Sequence, residues 1–197
     1  MRRTLVRLLV VATVSLAVGC GDGGGGGTTV VGPGAADPTP QASRVAVTDG
    51  LDLGAVEVAG DPPPRAPVLD AATWPQAAGW LRRETDARPV VVNFFASFCE
   101  PCKRELPLLL DTADAEPDVA FLGVHTYEQR ALGERMVREY GITIPTLHDP
   151  DADVLAEVGG RVLPYTVAFD TDGRLVGRVI GELTGSSLDE LLAEVRP

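Results

Sequence analysis

Positive charge is scarce in this chain. Seventeen Lys and Arg stand against 28 Asp and Glu over 197 residues, a formal net charge of -11. Arg2, Arg3 and Arg7 are the only charged side chains in residues 1–19, so the rest carries -14. That balance argues against nucleic acid as a partner and against electrostatic adhesion to anionic lipid. Long hydrophobic runs are lacking too. The apolar stretch Leu8–Val18 has eleven residues, which as a helix rise about 16 Å, roughly half the hydrocarbon thickness, so no transmembrane span is expected. Soft metal ligands are few, with three Cys and two His. A zinc site needs four ligands, and Cys99, Cys102, His125 and His148 fit no zinc spacing, so no metal is expected.

What is present begins with an address. A basic Met1–Arg7, the apolar stretch after it and the small Gly19 before Cys20 read as a secretory signal over residues 1–19. Leu16-Ala17-Val18-Gly19-Cys20 resembles the lipobox of bacterial lipoproteins, with Ala17 where that pattern most often has Leu. The resemblance implies that Cys20 is diacylated, becomes the mature N-terminus and anchors the chain outside the cytoplasm, on the cell membrane. Ordinary signal cleavage would instead leave Cys20 as an odd exposed thiol. Cys20 to Pro67 contains 11 Gly and 7 Pro, too many for a packed core. Residues 20–66 therefore read as a tether, flexible through Gly23–Gly27 and stiffer from Pro33 onward. Inside it, the alternation in Arg44–Val47 and Ala55–Val58 around Asp49-Gly50 suggests a small hairpin.

Residues 67–197 are enough to bury a core alone. Thr73 is the expected N-cap of a helix over Trp74–Thr85. Val90–Phe95, apolar except at Asn93, reads as a central parallel strand buried on both faces. A helix follows from Cys99 to about Ala113, kinked at Pro107. Val119–Val124 then reads as a strand, Glu128–Tyr140 as a helix, Ile142–Leu147 as a strand and Ala152–Val158 as a short helix. Tyr165–Phe169 and Leu175–Ile180 flank the turn sequence Asp170-Thr171-Asp172-Gly173, and Ser187 is placed to cap a last helix through Val195. The expected class is α/β, a mixed central sheet flanked by helices with an antiparallel edge.

The chemistry concentrates in Cys99-Glu100-Pro101-Cys102, where a hydrophobic strand hands over to a helix. Cys99 at the helix N-terminus faces unpaired amides and the positive end of the dipole, which favour thiolate. Cys102, one turn on, points back toward it. The pair can close a small disulfide with Cys99 as nucleophile and Cys102 as resolving thiol. A purely structural disulfide across two intervening residues would close almost no loop and stabilise little.

The run Val91-Val92-Asn93-Phe94-Phe95-Ala96-Ser97-Phe98-Cys99-Glu100-Pro101-Cys102-Lys103-Arg104-Glu105-Leu106-Pro107 resembles the active-site stretch of the thioredoxin superfamily, and within it the TlpA/ResA-like membrane-anchored reductases. The resemblance extends from about Pro89 to Val195 and includes Gly141–Pro145 and Arg161–Thr166. It implies a thioredoxin-like fold in which Pro164 is cis and stands beside the cysteines, leaving the Leu163 main chain free to pair with an extended substrate. It further implies that Glu105, the acid of CxxCxxE, accepts or returns a proton as Cys102 reacts, a surface glutamate being the alternative. Glu100 and Pro101 would tune the couple, Glu100 by repelling a thiolate at Cys99 and making the pair more reducing. Asn93 stands where cytosolic thioredoxins carry a buried Asp, and Phe98 where Trp is usual.

The implied activity is reduction of protein disulfides with no cofactor by a monomer. Apocytochrome c is the expected client, in cytochrome c maturation, and a membrane thiol donor recharges the cysteines. Two other readings stand beside it. A peroxidase of the related redoxin group needs Thr or Ser three residues before the reactive cysteine, where this chain has Ala96. A copper carrier would use the two sulfurs and a histidine. Asp149, Asp151 and Asp153 alternate like a calcium loop, but Val154 and Gly160 occupy the places of its Gly and Glu, so they read as a solvated turn. His125 and His148 read as structural or surface histidines.

Overall fold

The computed structural model describes residues 43–46, 50–57, 70–71 and 73–196, the backbone alone at 43–46 and 70–71. The signal segment, the acylation candidate Cys20 and the glycine run lie outside these residues. Among the described residues seven strands, β1 (Ser43–Ala46), β2 (Asp70–Ala71), β3 (Val90–Phe95), β4 (Ala120–Thr126), β5 (Thr146–Asp149), β6 (Tyr165–Phe169) and β7 (Leu175–Ile180), form one sheet in the order β1-β7-β6-β3-β4-β5-β2. β3 lies at its centre, parallel to β4 and antiparallel to β6. Strand alternation sends Val90, Val92 and Phe94 to one face, with α1 (Trp74–Thr85) and α4 (Asp153–Glu157). Val91 and Phe95 go to the other, with α2 (Glu100–Ala115), α3 (Arg130–Tyr140) and α5 (Gly185–Val195). Both faces of β3 are thus buried, as its apolar run requires.

Several boundaries follow local chemistry. α1 starts where Gln76 Oε1 accepts from the Thr73 amide at 3.0 Å and hydroxyl at 3.1 Å. β5 begins at Thr146 rather than Ile142, because Pro145 has no N–H to give a ladder and contributes only its carbonyl, to the Gly123 amide at 2.8 Å. α3 begins at Arg130 rather than Glu128: Tyr127 is in the left-handed region at φ 66° and Gln129 is the extended N-cap, so Glu128 belongs to the loop. The last helix starts at Gly185. Thr184, not Ser187, is its N-cap, and Ser187 returns a bond from inside the first turn to the Thr184 amide at 2.9 Å. α2 runs through Pro107 to Ala115.

Of the expected hairpin, Val47, Asp49 and Val58 lie outside the described residues, and among those described its two limbs do not pair. Ser43–Ala46 pairs antiparallel with β7, so residues assigned to the tether join the sheet. Leu53–Ala55 is a 3-10 turn capped by Asp52, whose Oδ1 accepts from the Gly54 amide at 2.8 Å. The free edge of β7 offers a row of unpaired backbone groups, and the first limb takes it in place of the second. Leu53 is fully buried in the core.

Asp149 also departs from its expected place in a solvated turn. It is 1% exposed, and its carboxylate accepts from the amides of Val154 at 3.2 Å and Leu155 at 3.1 Å, capping α4. Burial pushes this carboxyl above its usual range, and those amide bonds partly offset the rise. Asp149→Ala removes both bonds and leaves the amides buried. We expect a loss of about 2 kcal/mol, read from urea unfolding at neutral pH; an unchanged midpoint would show the cap to be dispensable.

Candidate active site

The central strand delivers the chain to the sheet's C-terminal end, where Ala96–Phe98 turns it into α2. Cys99 is the N-cap of that helix, with extended backbone, and its Sγ lies 3.3 Å from the Cys102 amide that donates to it. The two cysteines are joined in a disulfide with Cα atoms 5.3 Å apart. Burial separates their roles: Cys99 is 6% exposed and Cys102 0%. Only the first sulfur is open to a partner.

Around Cys99 lies a cleft of about 540 Å³ lined by Phe98, Tyr127, Val162 and Leu163 together with Glu100 and Arg161. Among the described residues, Phe98, Tyr127 and Val162 are the exposed large hydrophobics, and all three face this cleft. The Leu163–Pro164 peptide is cis. Leu163 lines the cleft, and the Pro164 carbonyl accepts from the Gly181 amide at 3.0 Å.

Glu105 is not a surface residue. It is 1% exposed on α2, one turn beyond the buried Cys102. Asn93 Nδ2 donates to its Oε1 at 2.7 Å and the Leu183 amide to its Oε2 at 2.6 Å. Burial pushes this carboxyl up to about 7, against the pull of both bonds, and the nearby Glu182 charge adds to the rise. Asn93 also donates to Thr166 Oγ1 at 3.0 Å, while its Oδ1 has no partner. Turning the amide over would let Oδ1 accept from a protonated Glu105 and from the Thr166 hydroxyl, so the same side chain can serve either protonation state.

Glu100 occupies the first turn of α2 beside Cys99, but its charge is not isolated. Lys103 Nζ lies 2.7 Å from its Oε1, which holds the Glu100 carboxyl below its usual value. The repulsion expected from sequence is therefore partly neutralised in an exposed pair. Pro101 follows at the second helical position, where its missing N–H costs no bond. Arg104 clasps both oxygens of Glu182 and so ties α2 to the loop that brings Leu183 to Glu105.

The histidines are not at the surface. His125 is fully buried and stacked on His148 with centroids 5.5 Å apart. Its Nε2 lies 3.0 Å from Glu128 Oε2. Glu128 in turn accepts from Ser97, at 2.5 Å from the amide and 2.6 Å from the hydroxyl. Burial lowers both imidazoles toward the neutral form. Burial alone would raise Glu128, but the two Ser97 bonds and His125 outweigh it and hold the carboxyl below its ordinary value. Glu128 and Tyr127 left no signal in the sequence, and Ser97 and Arg161 only their places in the stretches that carry the resemblance, since nothing in their spacing to Cys99 announces a meeting made by three separate loops. Among the described residues no group of three or more His, Cys, Asp and Glu is placed to hold a metal.

A mixed sheet with helices on both faces, a Cys-x-x-Cys disulfide where its central strand meets a helix, and a cis-proline loop lining the same cleft define a thioredoxin-like redox protein. The chain belongs to the Redoxin family, which it matches over residues 59–192. Among curated proteins it is 29% identical over 117 residues to the thiol-disulfide oxidoreductase ResA of Halalkalibacterium halodurans, covering 58% of this chain and 66% of that one. It is 27% identical over 110 residues to ResA of Bacillus subtilis, covering 55% and 62%. The match thus spans a little under two thirds of these relatives. Among solved structures, MTB dsbF superimposes with a TM-score of 0.52 at 26% identity, covering 56% of this chain and 82% of that one. A DsbF homologue from Corynebacterium diphtheriae gives 0.53 at 24% identity, covering 57% and 74%, and supports the fold.

Proposed function

We propose that this chain is a thiol-disulfide oxidoreductase that reduces disulfides in proteins outside the cytoplasm, held at the membrane by acylated Cys20. The observation that carries the reading is the asymmetric pair: one sulfur at the mouth of an apolar cleft, the other buried behind it. The ResA relatives bear the name of the same reaction. In the reductive step the Cys99 thiolate attacks a substrate disulfide, forming a mixed disulfide and releasing one substrate thiolate. Cys102 gives its proton to Glu105 and attacks Cys99 Sγ, releasing the second thiolate. The substrate gains two electrons and the enzyme becomes the bridged form, which an external dithiol must recharge. Leu163 offers its main chain to the substrate beside Cys99, at the cis Pro164. The basic, apolar signal pattern and lipobox-like Cys20 support the location, and apocytochrome c is the client we favour for such a reductant. Against the peroxidase reading stand Ala96, which has no hydroxyl, and the neighbouring Ser97, whose hydroxyl donates to Glu128.

Net reduction requires a low potential. The Glu-Pro dipeptide between the cysteines supplies no cation to hold the Cys99 thiolate, and Glu100 retains some repulsion despite Lys103. We expect a midpoint nearer thioredoxin's roughly -270 mV than the roughly -120 mV of a strong oxidant, in a glutathione titration of the purified protein. A value above roughly -160 mV on that scale would mark an oxidase instead.

A further inference from the structure

Phe98 and Tyr127 both line the cleft but come from different parts of the chain, one ahead of α2 and the other ahead of α3. Each is bonded next door to a member of one buried contact: Ser97 precedes Phe98, and Glu128 follows Tyr127. A single carboxylate takes both donors of Ser97, at 2.5 and 2.6 Å. We propose that Glu128 is a positioning residue that clamps the two aromatic walls of the cleft at the separation a protein substrate needs.

The carboxylate is itself held. His125 Nε2 meets its Oε2 at 3.0 Å, and the His125 ring is fixed from three sides. Phe95 packs tilted with centroids 5.8 Å away, and His148 stacks with Nδ1 3.4 Å from His125 Nδ1. On the third side α3 presses so closely that a Cβ on Gly133 would stand 2.6 Å from Nδ1. With Nε2–H donated to Glu128, a neutral His125 must accept at Nδ1, which makes His148 the donor. Hydrogen bonds therefore run in one direction from His148 through His125 to Glu128, and Ser97 closes the chain.

Tyr127 supplies an independent sign that this geometry is imposed. At φ 66° it holds a left-handed conformation that a bulky side chain rarely adopts. The bonds on either side keep it there: the Thr126 hydroxyl donates to the Asp149 carbonyl at 2.8 Å and the Tyr127 amide to the same oxygen at 3.3 Å, while Glu128 is anchored beyond. Backbone held in a sparse region beside a reactive group is over-determined by its surroundings, and the effect is to aim the ring into the cleft.

The inference rests on the proposed reading of the cleft as the docking place for protein disulfides, and its test separates the two. Glu128→Ala removes the clamp. Glu128→Gln retains it without charge: its oxygen can take the Ser97 amide and His125, while its NH₂ donates to a Ser97 hydroxyl turned to accept. With the full-length protein and insulin as substrate, Glu128→Ala should raise KM about fivefold with kcat within about threefold, and Glu128→Gln should restore the parent KM. Independently of activity, the Ser97 amide should exchange with deuterium about tenfold faster in Glu128→Ala and at the parent rate in Glu128→Gln. Unchanged KM and exchange in the Ala variant would overturn the clamp, as would a Gln variant as impaired as Ala, which would point to charge. A parent protein inactive on insulin would defeat the docking reading, and the exchange measurement would still decide the clamp. If the Ala variant does not fold, Ser97→Ala, which loses one bond of two, should raise KM about twofold; no rise would overturn the proposal.

Discussion

Replacing Cys102 with Ser should stop turnover, by about three orders of magnitude or more, and leave Cys99 covalently joined to its client. The reason is accessibility. Cys99 is the sulfur at the cleft and Cys102 is completely buried, so a substrate disulfide meets Cys99 first and the mixed disulfide can be opened only from inside. Serine keeps the size of that inner side chain and the helix around it but lacks a nucleophile able to attack sulfur. Cys99→Ser should lose both turnover and trapping. A non-reducing gel with mass analysis of the captured species reads the result in the native cell envelope. Capture of an apocytochrome would support the favoured client, while a broad mixture of secreted proteins would indicate general disulfide repair. Continued cycling by Cys102→Ser, or trapping through Cys102 instead of Cys99, would overturn the assignment of roles.

The second large effect belongs to Glu105→Gln. At about 7, the carboxyl is divided between its acid and base forms near neutral pH, a condition suited to moving a proton in either direction. As the proposed base for Cys102 it would work only when ionised, so the rate of the resolving step should rise through pH 7. Glutamine should lower that rate about a hundredfold and remove the inflection, leaving only the titration of the thiol itself. Stability should move the other way. A carboxyl whose folded value is raised from 4.5 to about 7 binds its proton more tightly in the folded state. Its stabilising effect is therefore complete below about pH 4.5, falls as pH rises and is gone above about pH 7. The shift corresponds to about 3 kcal/mol. Denaturant unfolding of the variant should lack this decline between pH 4.5 and 7, so it should gain on the parent as pH rises toward 8. Equal pH slopes for the two proteins, or a resolving rate unaffected by the change, would remove Glu105 from the mechanism.

Much of this architecture was legible residue by residue. Val90–Phe95 could be read as a central strand because its apolar run has no polar face to turn to water, and both its faces are covered. Tyr165–Phe169 and Leu175–Ile180 could be read with their ends because Asp170 and Gly173 specify the turn: Gly173 adopts φ 77°, and its amide donates to the Asp170 carbonyl at 3.0 Å. Where sequence misled, a partner distant in the chain was responsible. Val45 and its neighbours alternate as well for a hairpin as for an edge strand, and the open side of β7 settled the choice. Asp149 looks like one of three exposed acids until the amides that follow it turn back onto its carboxylate.

The sequence by itself determined the strand-to-helix placement of Cys99 and Cys102 and the acid one turn later, because these depend on spacing along a single helix. Only the tertiary structure decided that Glu105 is buried enough to titrate near neutrality, since that depends on Asn93 from β3 and Leu183 from the loop before α5 closing over it. The same holds for Ser97, Glu128 and the two histidines. Their bonds join side chains 31, 3 and 23 positions apart, and no periodicity encodes contacts that depend on where separate loops and neighbouring strands meet.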